Sequence, residues 1–319
     1  MNRVVAPALV VLGPTASGKS DVAMAVAAEV PFGQPFEQPF EIVAVDAMQV
    51  YRYLDIGTAK PTADDRAAVP HHLLDLVDPD HGFAVAEFVA AASTALADIT
   101  ERGARALLVG GTGLYLRAIT DPMELPGTWP DVRAALEARL IDEPVEVLHA
   151  ELMALDPIAA AKMEPTNGRR VVRALEVCIG SGRRFSSFGP GLATYPAVPF
   201  VQVGLRWSRP ALAMRIERRV HRMIEAGLVD EVVDLLERFP QPSRTAYQAL
   251  GYKQIIEHLD GRLSLDEAVA EAVLRTRQFA VRQERWFRRD PRIRWLDIHD
   301  DPVAEAVPVI GELIGSLSA

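Results

Sequence analysis

The chain has 319 residues, 49% hydrophobic and 24% charged, the composition of a globular protein with room for one domain carrying a large insertion or for two, and its net charge of −9 speaks against binding nucleic acid by bulk charge. A single cysteine, Cys178, excludes intrachain disulfides and zinc sites built from several thiolates, and of seven scattered histidines only His71 and His72 adjoin, which argues against a dedicated metal site there. With no leader pattern and no apolar run near the roughly 20 residues that a bilayer needs, the expectation is a cytoplasmic protein without membrane contact, working as a monomer.

Along the chain, Ala8 to Leu12 is a short apolar run ending at Gly13. Ser20 to Val30 follows with apolar residues at helical spacing (Val22, Ala23, Val26, Ala27, Val30), so the opening reads strand, loop, helix. Pro31 to Phe40 reads as a surface excursion without chemistry of its own. Glu41 to Val45 is a second buried strand, ending at Asp46. A helix is predicted over Ala84 to Arg102, then a strand over Ala104 to Val109, closed by Gly110-Gly111-Thr112-Gly113. Alternating strands and helices imply a parallel sheet with helices on both faces and ligands beyond the carboxyl ends of the strands. Gly13 to Ser20, Asp46 and Thr112 all fall at such ends.

From Thr120 the composition changes, with Pro122, Pro126, Gly127 and Pro130 ahead of a helix that Thr128 and Asp131 would open as a capping box. Helical patterns run on to Ile179, Gly180 to Pro199 is irregular, and Phe200 to Leu205 reads as a returning strand. The expected division is 1–119 as the first part of an α/β core, 120–199 as a helical insertion, and 200–319 as core completion with basic helices. Amphipathic patterns from Leu212 to Leu236 and from Leu265 to Phe287 predict two long helices packed on that core.

The octet Gly13-Pro14-Thr15-Ala16-Ser17-Gly18-Lys19-Ser20 fits G-x-x-x-x-G-K-[ST] in the strand–loop–helix context that gives this P-loop motif meaning. Its glycines let backbone amides face a phosphate, the helix N-terminus adds positive potential, and Lys19 supplies a point charge. Ser20 suits a phosphate-bound Mg2+, the one cofactor expected. Such a loop leaves the reaction open. Many nucleotide-hydrolysing proteins with this loop add an acid at a neighbouring strand end, and the strand ending at Val109 has none. Asp46 is the strand-end carboxylate near the loop, suited to holding the metal through water, to general base work, or simply to capping the next helix. Thr112 can donate to a phosphate oxygen or serve only its turn.

Three arginine-rich stretches run against the acidic average: Arg169, Arg170, Arg173, Arg183 and Arg184; Arg206, Arg209, Arg215, Arg218, Arg219 and Arg222; and Arg275, Arg277, Arg282, Arg285, Arg288, Arg289, Arg292 and Arg294, opposed within that last stretch only by Glu284 and Asp290. Each alone reads as a solvated helix face. Together they favour a polyanionic partner. Helical spacing sets Arg169 and Arg173 on one face. Arg133 reads equally as an ordinary surface charge, and Phe279, Trp286 and Phe287 as core rather than stacking platforms.

The octet, Asp46-Ala47-Met48-Gln49-Val50-Tyr51-Arg52, Asp55-Ile56-Gly57-Thr58-Ala59-Lys60-Pro61, Pro70-His71-His72-Leu73-Leu74-Asp75, Gly110-Gly111-Thr112-Gly113-Leu114-Tyr115, Arg169-Arg170-Val171-Val172-Arg173-Ala174-Leu175-Glu176, Ala249-Leu250-Gly251-Tyr252-Lys253-Gln254, and the run from Thr276-Arg277-Gln278 through Arg282-Gln283 to Trp286-Phe287 resemble, in that order, the bacterial tRNA dimethylallyltransferases. The resemblance spans nearly the whole chain. It implies a P-loop NTPase-like parallel sheet flanked by helices, with a helical insertion, and a magnesium-assisted alkyl transfer. The exocyclic amine of the adenosine just 3′ of the anticodon in tRNA attacks the first carbon of dimethylallyl diphosphate, and diphosphate leaves.

By this resemblance Gly13 to Ser20 bind the diphosphate and Ser20 its metal. Thr112 and an arginine matched to Arg219, with Arg218 beside it, stabilise the leaving charge, and Asp46 accepts the amine proton. Asp46, Ala47, Met48, Gln49 and Thr112, together with Gln248, Ala249, Leu250, Gly251, Tyr252 and Lys253, touch the tRNA around an adenosine that has left its stack. Arg133, Arg169, Arg170, Val171, Val172 and Arg173 grip tRNA from the insertion. Ala47 stands where many relatives have serine, and Val281 where a basic residue is common. The residues by themselves leave open a P-loop kinase of small molecules, which would bind ATP, and a prenyltransferase acting on free adenine nucleotides. Neither needs three arginine stretches, and a non-catalytic RNA-binding module leaves the complete P-loop unexplained.

Overall fold

The computed structural model describes residues 8–28, 38–189 and 191–316, so most of the Pro31 to Phe40 excursion lies outside the described residues. Six strands form one parallel sheet: β1 (Ala8–Leu12), β2 (Phe40–Val45), β3 (His71–His72), β4 (Arg105–Gly110), β5 (Phe200–Trp207) and β6 (Arg294–Ile298), in the order β3-β2-β4-β1-β5-β6. Every residue of β1, β2 and β4 is buried. In β1, Ala8, Val10 and Leu12 enter one apolar layer with Val43, Val45 and Leu108, while Leu9 and Val11 enter the opposite one with Ile42, Leu107 and Val109. Helices cover both faces, which is why these strands read as unbroken apolar runs. Register pairs Leu12 and Val45 with Gly110, so the carboxyl ends of the three strands lie side by side. A Cβ on Gly110 would sit 2.1 Å from the carbonyl oxygen of Val45, so only glycine allows this approach.

The core helices are α1 (Lys19–Ala28), α2 (Ala63–Ala68), α3 (Val85–Glu101) and α4 (Gly113–Thr120). The insertion holds α5 (Pro130–Asp142), α6 (Val145–Leu155), α7 (Pro157–Ala160) and α8 (Gly168–Ser181), and the chain returns to the core with α9 (Arg209–Glu225), α10 (Leu228–Arg238), α11 (Arg244–Tyr247), α12 (Tyr252–Leu259), α13 (Leu265–Phe287) and α14 (Pro302–Ser316). Two compact units result, 1–120 with 197–319, and 121–196. None of the described helices is long and apolar enough to cross a membrane.

Two local expectations are corrected. The pattern from Leu212 to Leu236 is two helices, because Gly227, at φ 97°, breaks it between α9 and α10 in a conformation that glycine adopts without strain. Thr128 does not cap α5. That helix opens with Pro130, whose missing N–H costs nothing in the first turn, and the preceding Trp129 gives its backbone N–H to Glu176 Oε1 at 2.9 Å. By contrast α13 is capped by Ser264, whose hydroxyl and Glu267 form a full capping box, and it covers the predicted span.

Candidate active site

β1 delivers the octet to the carboxyl edge of the sheet, where the backbone curls through Ala16 at φ 63° and Gly18 at φ 86°. A non-glycine residue in the left-handed region costs on the order of 1 kcal/mol, so the curl needs outside support. It comes from residues far away in sequence. Trp207 Nε1 donates to the carbonyl of Ser17 at 2.9 Å, and Arg215 Nε donates to that of Ala16 at 2.9 Å, its guanidinium lying 4.3 Å from the centre of the Trp207 ring. Gln283 Oε1 accepts from the Thr15 amide at 2.9 Å.

Not every amide of the loop is open to a phosphate. The Thr15 amide belongs to Gln283, and that of Ser17 to the Pro14 carbonyl at 3.3 Å. The first bond of α1 runs from Val22 N–H to Gly18 O, leaving the amides of Gly18 to Asp21 at the open helix start, where an anion is favoured. Ser17 Oγ is buried in the loop without a hydrogen-bond partner. A cradle with open amides and an orphaned buried hydroxyl fits a phosphate group.

Lys19, Asp46 and Arg219 form one electrostatic cluster. Burial, and then the positive charge of Arg219, lower the Lys19 pKa to about 8, against the pull of Asp46 and Asp21. Burial likewise lowers the Arg219 guanidinium from its usual value, with Asp46 acting in the opposite sense. Arg218, its neighbour on α9, is exposed, whereas Arg219 donates to the Thr58 carbonyl and acts by charge on Lys19. Asp46 Oδ1 accepts the Met48 amide at 2.8 Å in a turn after β2; it opens no helix there. Thr112 Oγ1 accepts the Ala47 amide at 3.3 Å, which ties the turn after β4 to the one after β2 and leaves the hydroxyl proton to donate elsewhere.

The Asp55 to Lys60 loop completes this side. Its Thr58 carbonyl accepts from Arg219 Nη2 at 3.3 Å and from Gln49 Nε2 at 3.2 Å. The loop is shaped by Glu231, which accepts the amides of Asp55, Ile56 and Gly57 at 3.2, 2.8 and 3.3 Å and the hydroxyl of Tyr252. Burial and the Glu231 charge push the Tyr252 phenol far up, so it stays a neutral donor. Tyr252 and Ala249 are buried, at 0% and 2% exposure, so their side chains are closed to RNA; Gln248 is exposed, Leu250 and Gly251 are half-buried, and Lys253 pairs with Glu257 at 3.7 Å.

In the insertion, Val171 and Val172 lie in its core with Leu136, Leu148 and Leu175, which removes their side chains from any contact with tRNA. Glu176 is wholly buried. Burial alone would raise its pKa, but the Trp129 amide and the guanidinium groups of Arg133 and Arg173 outweigh this and hold the carboxyl below its usual range. Arg133 Nη2 lies 2.6 Å and Arg173 Nη1 2.9 Å from it, so both arginines serve first as its counter-ions, while Arg169 and Arg170 stay exposed. On α13 the basic face is partly neutralised from outside the stretch: Arg275 pairs with Glu271 and Arg277 with Glu217. Phe287 is core and Trp286 packs against it. Trp207, Gln283 and Glu231 were given no site role by the sequence, and Arg215 was read only as part of a basic stretch. A lone polar side chain that bonds a distant backbone has no spacing signature.

Among the described residues, no three His, Cys, Asp or Glu side chains are grouped to hold a metal ion. Ser20, exposed on the first turn of α1, offers one hydroxyl, so an ion there would take its remaining ligands from phosphate and water.

A family model described as IPP transferase matches residues 49–290. The chain is 49% identical to a protein of Kineococcus radiotolerans named tRNA dimethylallyltransferase, covering 98% of each chain. Of solved structures, the full-length tRNA isopentenylpyrophosphate transferase of Bacillus halodurans is 36% identical with a TM-score of 0.68, covering 98% of this chain and 97% of that one. A eukaryotic dimethylallyltransferase acting on tRNA, 24% identical, shares the fold with a TM-score of 0.78 over 97% of this chain and 80% of its own.

Proposed function

Because the chain belongs to the IPP transferase family, whose bacterial members include tRNA dimethylallyltransferases, we propose that it moves the dimethylallyl group of dimethylallyl diphosphate onto the exocyclic amine of the adenosine 3′ of the anticodon in tRNA, as a single chain in the cytoplasm. The cluster of Lys19, Asp46 and Arg219 carries this reading: two cations at a phosphate-shaped loop, with one carboxylate whose charge acts on both.

In the reaction the bond between the first allylic carbon and the diphosphate oxygen breaks, its electron pair leaving with the diphosphate, while the amine nitrogen bonds to that carbon and gives up a proton. The leaving oxygens gather negative charge, which Lys19, the amides of Gly18 to Asp21, Arg219 and the Thr112 hydroxyl meet with fixed donors. Asp46, with one oxygen held by the Met48 amide, has its other free for the amine proton. A Mg2+ held by Ser20 and the diphosphate would add further charge neutralisation. Incubation with labelled dimethylallyl diphosphate and tRNA tests the whole; phosphate transfer from ATP to a metabolite without tRNA alkylation would sink it.

The depressed Lys19 pKa sets a pH dependence for the diphosphate site. The bound diphosphate anion needs the protonated amine, and in the free protein that proton is lost as pH rises through about 8. The affinity advantage of wild type over Lys19→Met for inorganic diphosphate, about tenfold to a hundredfold, is expected to hold steady below this pH and to shrink above it. Titration calorimetry of both proteins checks this, since ionisation of the ligand is common to the two; a ratio independent of pH would refute it.

For the RNA, Arg169→Gln with Arg170→Gln is expected to raise the KM for tRNA and to reduce the slope of log K against log salt by about one per lost phosphate contact. Arg173→Met is expected instead to lower the melting temperature, because it strips a counter-ion from buried Glu176. Salt titrations and thermal melts on the same variants separate the two roles.

A further inference from the structure

The turn after β4 is glycine-rich for a reason that lies on α13. A Cβ on Gly111 would sit 2.4 Å from Gln283 Nε2, and one on Gly113 would sit 2.1 Å from the Trp286 ring. The helix therefore presses its Gln283 and Trp286 side chains directly onto backbone at the carboxyl edge of the sheet. Gln283 is buried, at 8% exposure, and both ends of its carboxamide are used: Oε1 accepts the Thr15 amide and Nε2 donates to the Gly111 carbonyl, each at 2.9 Å. The two bonds have opposite polarity, so a side chain of this length needs both an acceptor and a donor at its tip, which glutamine has and glutamate, methionine and lysine lack.

Each partner adjoins a group that the reaction uses. Thr15 lies within the octet, between the turn at Pro14 and the left-handed Ala16, and Gly111 directly precedes Thr112. Trp207 and Arg215 brace the octet through its carbonyls, but neither links it to the neighbouring turn. We propose that Gln283 is a positioning residue that fixes the diphosphate loop and the Thr112 turn in one register, a role that rests on the transfer reaction proposed above. Without it the loop amides and the Thr112 hydroxyl still exist, but their spacing across the leaving diphosphate is no longer set by a single rigid amide. The same residue ties both turns to the helix that exposes Arg282 and Arg285.

The test uses the full chain. Gln283→Met removes both bonds at similar volume, and is expected to weaken inorganic diphosphate binding about tenfold and to lower kcat at least as much, while the KM for tRNA stays within about twofold. Gln283→Glu supplies a second readout that does not depend on the fate of the methionine variant. Its ionised form opposes an oxygen to the Gly111 carbonyl, whereas its protonated form carries a donor and an acceptor in the shape of glutamine. Its kcat relative to wild type is therefore expected to climb as pH falls through the carboxyl range. Wild-type diphosphate affinity and kcat in Gln283→Met, or a ratio for Gln283→Glu that is flat with pH, would overturn the role. Loss of diphosphate and tRNA affinity together, in step with a lowered melting temperature, would reduce it to packing. A wild-type protein that neither binds diphosphate nor alkylates tRNA would instead remove the underlying reaction.

Discussion

Asp46→Ala is expected to lower the kcat of tRNA alkylation about a thousandfold while leaving inorganic diphosphate bound as tightly as before or more so. The first part follows from the charge that develops on the amine. As nitrogen bonds to carbon it becomes positive and must shed a proton, and a positioned carboxylate contributes on the order of a hundred- to ten-thousandfold to such a step. The second part follows from the neighbours of Asp46, since its charge acts on both Lys19 and Arg219. Removing it raises the positive potential where the diphosphate sits at any pH low enough to keep the Lys19 amine protonated, a pH range that shrinks because the carboxylate also holds that pKa up. Alanine also deletes the acceptor of the Met48 amide, so a damaged turn has to be told apart from a missing base. Asp46→Asn does this: its side-chain carbonyl still accepts that amide, yet it cannot take up the proton. Single-turnover alkylation with labelled dimethylallyl diphosphate should show the same loss in both variants. An asparagine variant within tenfold of wild type would remove the general-base role.

How much of this site was legible in the sequence depended on the kind of residue. Gly13 to Ser20, Asp46 and Thr112 follow strands buried on both faces, and such strands announce themselves as apolar runs with a polar or glycine stop. The edge of the sheet was harder. β3 has only two residues, and β6 is half-exposed along most of its length, so neither carries a long apolar signal. The family resemblance marked Val171 with its neighbouring arginines, and Tyr252 with Lys253, but a motif cannot say which of its members points inward. The same blindness applies to charge. Glu217 and Glu271 quiet two arginines of α13 from outside the basic stretch, and Glu176 holds Arg133 and Arg173 from within a helix core. Gln283 sat inside a recognised motif, yet its duty became visible only once α13 was seated on the two turns.

Arg219 and Arg218 test how far one helical step decides function. Successive residues on a helix point about 100° apart, and here that step separates a guanidinium bonded to the Thr58 carbonyl, its charge acting on Lys19, from one that is exposed. Arg219→Ala is expected to lower kcat by about a hundred- to a thousandfold, the range for removing one fixed donor from a developing negative charge, whereas Arg218→Ala should stay within about twofold, as exposed charges usually do. The Thr58 carbonyl holds Nη2 of Arg219 at 3.3 Å, so the group is already oriented by the Glu231-shaped loop and needs little rearrangement to meet a leaving oxygen. Arg219→Lys keeps the charge but loses the planar fork that can bond Thr58 and diphosphate together, and is expected to recover only part of the rate. Steady-state kinetics on the three variants decide the matter. Equal losses at 218 and 219, or full rescue by lysine, would mean that the field of α9 as a whole, and not an oriented guanidinium, stabilises the departing diphosphate.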